Sequence, residues 1–304
     1  MKATLPLRCA LASNAAFSLT CGLLMLFRPA QVGDWLGQDA RFMLQAIGLG
    51  LVVFAGELLY QATRQRVATW RALLASAADA SWVIASVVLL LTLPQLFSPL
   101  DQALVLTVAA VVLAFGAWQL WAAGRAHRIG EGSEYRHCIV VETNVPAEKL
   151  WRVVGNMGDI QHYMPSLKRS VVLDGNAPGV GAVRTCEDHS GKKWSEECTA
   201  FNPGHSFAVR FVSEAPNFPF PAKTMRGGWQ VAASDSGSQV MVWWELTPTS
   251  KLLAPVILPL LAFQADRDFP QIVRRMATAA IGKNGEAQMH SNGRLFARLL
   301  PGLC

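Results

Sequence analysis

Four apolar stretches, at about residues 9–27, 42–60, 72–93 and 102–123, constrain this chain more than any other feature of it. Each is close to the ~20 residues that a helix needs to cross the hydrocarbon of a bilayer. Arg28-Pro29 with Gly33 and Gly37, an arginine-rich turn, and Pro94 with Pro99 separate them. The spacing predicts an all-α, four-helix transmembrane domain over 1–123. Composition agrees, since 52% hydrophobic residues against 16% charged exceeds what a soluble chain carries. A length of 304 residues leaves room for a second domain.

Positive charge decides how such a bundle is oriented. Lys2 and Arg8 precede the first span, Arg64, Arg66 and Arg71 separate the second from the third, and Arg125 and Arg128 follow the fourth. The other connections are neutral (Arg28 and Arg41 against Asp34 and Asp39) or acidic (Asp101). Both termini are therefore expected in the cytoplasm, with the protein integral to a bacterial-type inner membrane. The first span lacks a small-residue cleavage site, so it reads as an anchor and not as a signal peptide.

Asn14, Glu57, Asp79 and Gln119 interrupt the spans. An ionisable group in hydrocarbon demands a partner. All four fall in the cytoplasmic half, which predicts a polar layer there. It would serve either as hydrogen-bonded glue between helices or as a site that handles a ligand or a proton.

The isoelectric point near 9.2 accompanies no Lys/Arg cluster interleaved with aromatics, so nucleic acid is not an expected partner. The six cysteines show neither CxxC nor Cys/His ligand spacing, which predicts free thiols and no metal site. No cofactor is expected. Gly124 to Glu134 is short, Gly-rich and charged, and 124–135 reads as a tether.

Beyond the tether, Ile139 to Pro165 opens with a β-branched strand. Leu150, Val153, Val154 and Met157 then recur at helical spacing, and a second short helix follows from Asp159 to Met164. Strand-like runs come next near 168–174, 180–188, 192–201, 205–213, 223–233 and 238–247, divided by turn signals such as Asp174-Gly175-Asn176 and Asn202-Pro203-Gly204. A long helix closes the pattern, an α+β layout. Together with Gly179–Arg184 (GVGAVR) and Trp194–Pro203 (WSEECTAFNP), the segment over 136–281 resembles the START/Bet v 1-like superfamily, in its polyketide cyclase/dehydrase and lipid-transport branch. The resemblance implies a helix-grip domain: a curved antiparallel sheet around a long C-terminal helix, with an apolar cavity between them. The N-terminal part loosely resembles small four-helix bacterial membrane proteins, which assigns no chemistry.

Strand alternation groups Trp194, Glu196, Cys198 and Ala200 on one face. It does the same for Phe207, Val209 and Phe211, and for Met225, Gly227, Trp229 and Val231. The resemblance turns these faces to the cavity. Of adjacent Trp243 and Trp244, one faces in and the other out. Arg184 and Glu196 lie on successive strands and could pair inside the cavity, either to orient a ligand and work as acid and base or simply to hold the sheet. Tyr163 could add a hydroxyl at the mouth. Phe263 ends the apolar run Leu252–Phe263, in which Pro255 and Pro259 should kink the helix or delay its start. That run and the Phe218/Phe220 loop are candidates for contact with lipid. His162, His189 and His205 sit at turns without triad partners. Residues 282–304 read as a tail, loose at first and then either frayed or a short basic amphipathic helix, and Cys304 is not part of a prenylation box.

The expected function is binding of an apolar ligand, a lipid, isoprenoid or polyketide-like molecule, by a membrane-tethered cavity. Its rivals are a cyclase or dehydrase using Glu196, Arg184 and Tyr163, and a small transporter bundle regulated by a ligand-sensing domain.

Overall fold

Helices fill the first part of the chain because its long apolar runs hold no proline, and they stop where proline and glycine cluster. The computed structural model describes residues 4–36, 41–173, 178–292 and 295–300, with the backbone alone for 283–292. Lys2, Gly37, Asp39, the Asp174-Gly175-Asn176 turn and Cys304 lie outside the described residues. The chain divides between His127 and Arg128 into two compact units.

The first unit holds α1 (Leu5–Phe27), α2 (Pro29–Trp35), α3 (Arg41–Thr63), α4 (Thr69–Thr92) and α5 (Pro99–Arg125). All but α2 are long and apolar enough to cross a membrane. The short α2 was not expected; Pro29 at its first position supplies a ready helical φ. α5 opens on a reciprocal cap. The Asp101 N–H donates to Ser98 Oγ at 3.3 Å, and the Ser98 N–H donates to Asp101 Oδ2 at 2.8 Å. Small residues set the helix contacts. A Cβ placed on Gly22 would meet the Gly48 carbonyl at 2.9 Å, so α1 and α3 touch almost backbone to backbone.

The second unit is built on one antiparallel sheet of eight strands, ordered β2-β3-β4-β5-β6-β7-β1-β8. These are β1 (Tyr135–Thr143), β2 (Leu167–Val172), β3 (Val183–Asp188), β4 (Lys193–Asn202), β5 (Ser206–Phe211), β6 (Ala222–Ser234), β7 (Gly237–Pro248) and β8 (Ala297–Leu300). Between β1 and β2 run α6 (Ala147–Val154) and a 3-10 turn (Met157–His162), and α7 (Ala254–Asn292) follows β7. Ile139, Val141, Leu150 and Val154 form one apolar core with Trp229, Val242, Ile272, Val273 and Met276.

Three expectations need correction. Pro255 and Pro259 do not delay α7, which begins at Ala254. Pro255 lies in the first turn, where N–H groups have no partner inside the helix, and Pro259 forgoes a single bond. The helix instead breaks at Gly282, whose φ of 63° favours a residue without Cβ. Within the stretch read as a tail, Ala297–Leu300 is neither loose nor a basic helix, since it pairs with β1 as an edge strand beyond the expected boundary at 281. Its anchor is charge, Arg298 Nη2 donating to Glu142 Oε2 at 2.5 Å. Finally, Cys9, Cys21, Cys186 and Cys198 are free thiols but Cys138 is disulfide-bonded, a pairing that sequence spacing cannot show.

Candidate functional site

Alternation along the strands sends every second side chain toward α7, and there the second unit holds a half-open cavity of about 420 Å³. That lies within the range of ligand sites in general. The sheet contributes Val209, Met225, Trp229, Val242 and Trp244, and α7 contributes Leu261, Ala265, Phe269 and Ile272. One end is aromatic. Phe220 stands edge-on to Trp194 at 5.2 Å and to Phe211 at 5.6 Å, with Phe218 beside it at 5.4 Å. The Phe218/Phe220 loop, a candidate for contact with lipid, thus places Pro219 and Phe220 in the cavity wall, and Asn217 in the same loop has a φ of 63°.

Asp188, Lys192 and Asp268 also stand along the cavity, and one ion pair is buried against its apolar lining. β3 and β4 place Arg184 directly opposite Glu196, and each residue is only 4% exposed. Arg184 donates to Glu196 Oε2 from Nε at 3.0 Å and from Nη2 at 2.5 Å, and its Nη1 donates to the Met157 carbonyl at 2.8 Å. The other carboxylate oxygen, Glu196 Oε1, accepts from Trp194 Nε1 at 2.8 Å. Burial opposes the Arg184 charge, but the carboxylate of Glu196 outweighs it and raises the arginine pKa. The same burial, and then the charge of Glu196, push the neighbouring Cys186 thiol up to about 11. At neutral pH Cys186 is thus an inert thiol, not a nucleophile. The ion pair is closed upon itself, with both carboxylate oxygens engaged and the guanidinium held on two sides.

Of the residues expected to line the cavity, Arg184, Trp194, Glu196, Phe211, Met225 and Trp229 do so. Tyr163, Phe207 and Phe263 do not. Phe207 is buried within the core. Phe263 lies beneath the Arg267 guanidinium, at 5.8 Å, turned about two residues from the face that Leu261 and Ala265 present. Tyr163 caps the 3-10 turn, and its neighbour Met164 takes the place at the wall. Burial, and then the charge of Asp159, raise the Tyr163 pKa. Ala200 is exposed because a bulge between Cys198 and Ala200 reverses the alternation. Trp244 is the inward one of the tryptophan pair, and Trp243 lies against Gly228 and beneath the Arg136 guanidinium.

Sequence reasoning missed a second polar contact, His137 Nε2 to Asp266 Oδ1 at 2.9 Å, which ties β1 to α7 beside Trp244. Nothing in the sequence links two residues so far apart.

In the first unit the expected polar layer separates into two groups. Asn14 Nδ2 and Gln119 Nε2 both donate to Asp79 Oδ2, at 2.9 and 2.8 Å, joining α1, α4 and α5. Glu57 is not among them. Its Oε1 accepts from Arg71 at 2.8 Å and from Gln61 at 3.0 Å, nearer the surface. Among the described residues, no group of three or more His, Cys, Asp or Glu side chains could hold a metal ion.

Residues 137–280 match the family model described as polyketide cyclase/dehydrase and lipid transport. The structures similar to the chain include the crystal structure of Ara h 8.0201, 19% identical, covering 48% of this chain and 98% of that one with a TM-score of 0.38. An uncharacterised protein of Bacillus thuringiensis is 17% identical, over 48% and 99% of the two chains, with a TM-score of 0.37. The protein XoxI from Bacillus cereus is 16% identical, over 50% and 97%, with a TM-score of 0.37. No curated protein matches.

Proposed function

We propose that this chain, whose C-terminal region is of the polyketide cyclase/dehydrase and lipid-transport type, is a membrane-anchored binder of a neutral apolar molecule. The observation that carries the reading is the buried ion pair of the cavity, Arg184 with Glu196, which satisfies itself. Burying an apolar guest there gains about 25 cal/mol per Å² of surface taken from water, and the buried charges of the wall, Arg184 and Glu196, are already paired with each other. A fatty acid carboxylate bound at Arg184 would have to displace Glu196 and leave a buried charge unpaired, at a cost of several kcal/mol. An uncharged lipid, isoprenoid or polyketide-like ring system meets no such penalty. The closed pair also weighs against the enzymatic reading, because both oxygens of Glu196 are already engaged, one by Arg184 and the other by Trp194.

The anchor follows from four helices long and apolar enough to cross a membrane. The tether over 124–135 is short, so the cavity would work on molecules drawn from the adjacent leaflet and would extract, present or sense them. Ferrying between distant membranes does not suit a tethered domain.

Native mass spectrometry of the full chain, released from detergent, tests this reading. The expected result is a co-purifying uncharged apolar molecule that is lost in Ala265→Trp, where an indole fills the cavity. Purification of the wild type with a bound acid, or with nothing under conditions that retain structural lipid, would overturn it. Turnover of a polyketide or lipid substrate abolished by Glu196→Gln would favour the enzyme instead.

A further inference from the structure

The polar cluster of the first unit satisfies itself less completely than the ion pair of the second. Asp79 is 4% exposed on α4, and its Oδ2 takes both amide donors. Gln119 is fully buried, yet its Oε1 has no hydrogen-bond partner, and Ser76 Oγ, one turn before Asp79 on α4, has none either. Both belong to the crossing of α4 and α5, where a Cβ on Gly116 would meet Asp79 Cβ at 3.1 Å and the Ser76 carbonyl at 3.6 Å. On the other side Ser18 Oγ donates to Asn14 Oδ1 at 3.1 Å. An unpartnered buried acceptor costs about 1–3 kcal/mol, and a carboxylate in apolar surroundings costs more. A carboxylate, an amide oxygen and a hydroxyl grouped in this way lack one thing, a positive charge small enough to fit among them.

We propose that Asp79, with Gln119 and Ser76, forms a site in the helical bundle for one small monovalent cation, a proton or a sodium ion. With a proton on Asp79, the carboxylic acid can donate to Gln119 Oε1 once that amide turns over, which satisfies the acceptor now without a partner. Oxygen donors of this kind equally suit a hard ion. The groups facing Asp79 are Asn14 of α1 and Gly116 and Gln119 of α5, and none of them titrates. The inference rests on the bundle alone and is independent of what the cavity of the second unit holds.

The test is infrared difference spectroscopy of the full chain in lipid nanodiscs, titrated from alkaline to acid pH in choline chloride and again in sodium chloride. Wild type should gain the carbonyl band of a dry carboxylic acid that Asp79→Asn lacks. That variant keeps an acceptor for both amides, so its bundle should remain folded, as helical circular dichroism would show. A band that sodium diminishes at fixed pH identifies a site shared by both ions, and one indifferent to sodium identifies a proton site. Gln119→Leu, which removes one hydrogen-bonding partner, should move the band without abolishing it. Wild-type and Asp79→Asn spectra that superimpose throughout both titrations would overturn the proposal, and a band unmoved in Gln119→Leu would remove Gln119 from the site.

Discussion

Arg184 and Glu196 show how much a single pair can be read in advance. Two residues of opposite charge on successive strands, with alternation to choose the face, are enough to predict that they meet, and the register sets them opposite each other. What surrounds them is not legible, because the Met157 carbonyl and the indole N–H of Trp194 arrive from a 3-10 turn and a neighbouring rotamer. Those two contacts turn a reactive-looking pair into a closed one. Breaking it from one side should be severe. Glu196→Leu leaves the guanidinium buried and alone and should cost about 3–5 kcal/mol, read as a lowered unfolding midpoint of the detergent-solubilised chain. Replacing both members, Arg184→Met with Glu196→Leu, should recover most of that loss, because an apolar pair of similar volume avoids desolvating two charges. Binding of an uncharged guest should survive the double variant.

Elements follow the same division between local pattern and distant partner. The spans, the short helices after β1 and six of the later strands carry their own periodicity, so 9–27 and 238–247 lie close to the observed Leu5–Phe27 and Gly237–Pro248. β8 has no such signal, because four residues with an arginine among leucines look the same in a helix or a strand until β1 offers its open edge. Glu142 supplies the electrostatic half of that docking. Its hydrogen bond from Arg298, and then that from Ser236, lower its pKa. A depressed carboxylate contributes stability above its unfolded pKa and loses it as pH falls through the lower folded value. β8 should therefore loosen in acid, at and below the ordinary range for glutamate. Amide exchange of Val140 to Thr143, corrected for the intrinsic rate, should rise there in wild type. In Arg298→Ala it should be fast already at neutral pH. Close helix contacts can be tested likewise. Gly48→Val drives a branched side chain against the Gly22 carbonyl, only 2.8 Å from an added Cβ, and should part α1 from α3, seen as a loss of thermal stability in detergent.

For the molecule as a whole, orientation decides whether the reading of function can hold, and here sequence and structure supply separate arguments. The sequence offers charge: Arg64, Arg66 and Arg71 in one connection and Arg125 and Arg128 after the last span, against neutral or acidic connections elsewhere. The first unit adds geometry. Arg8 donates to the carbonyls of Ala62, Arg64 and Gln65 at 2.5, 2.7 and 3.0 Å, which fixes the start of α1 beside the α3–α4 connection. Thr69 and His127 meet at 2.9 Å, which brings the end of α5 to the start of α4. The cationic segments thus gather at one end of the bundle, where they act in concert on its insertion. A fluorescent protein that matures only in the cytoplasm should be bright when fused after Arg128, and an alkaline phosphatase that folds only outside should be active when inserted after Leu96. The opposite pattern would place the cavity beyond the cytoplasmic leaflet and remove the supply of guests on which the proposed binding role depends. Reversing Arg64, Arg66 and Arg71 to glutamate should weaken the bias and give a mixed population in the same two assays, because positive charge would then no longer be concentrated at one end of the bundle.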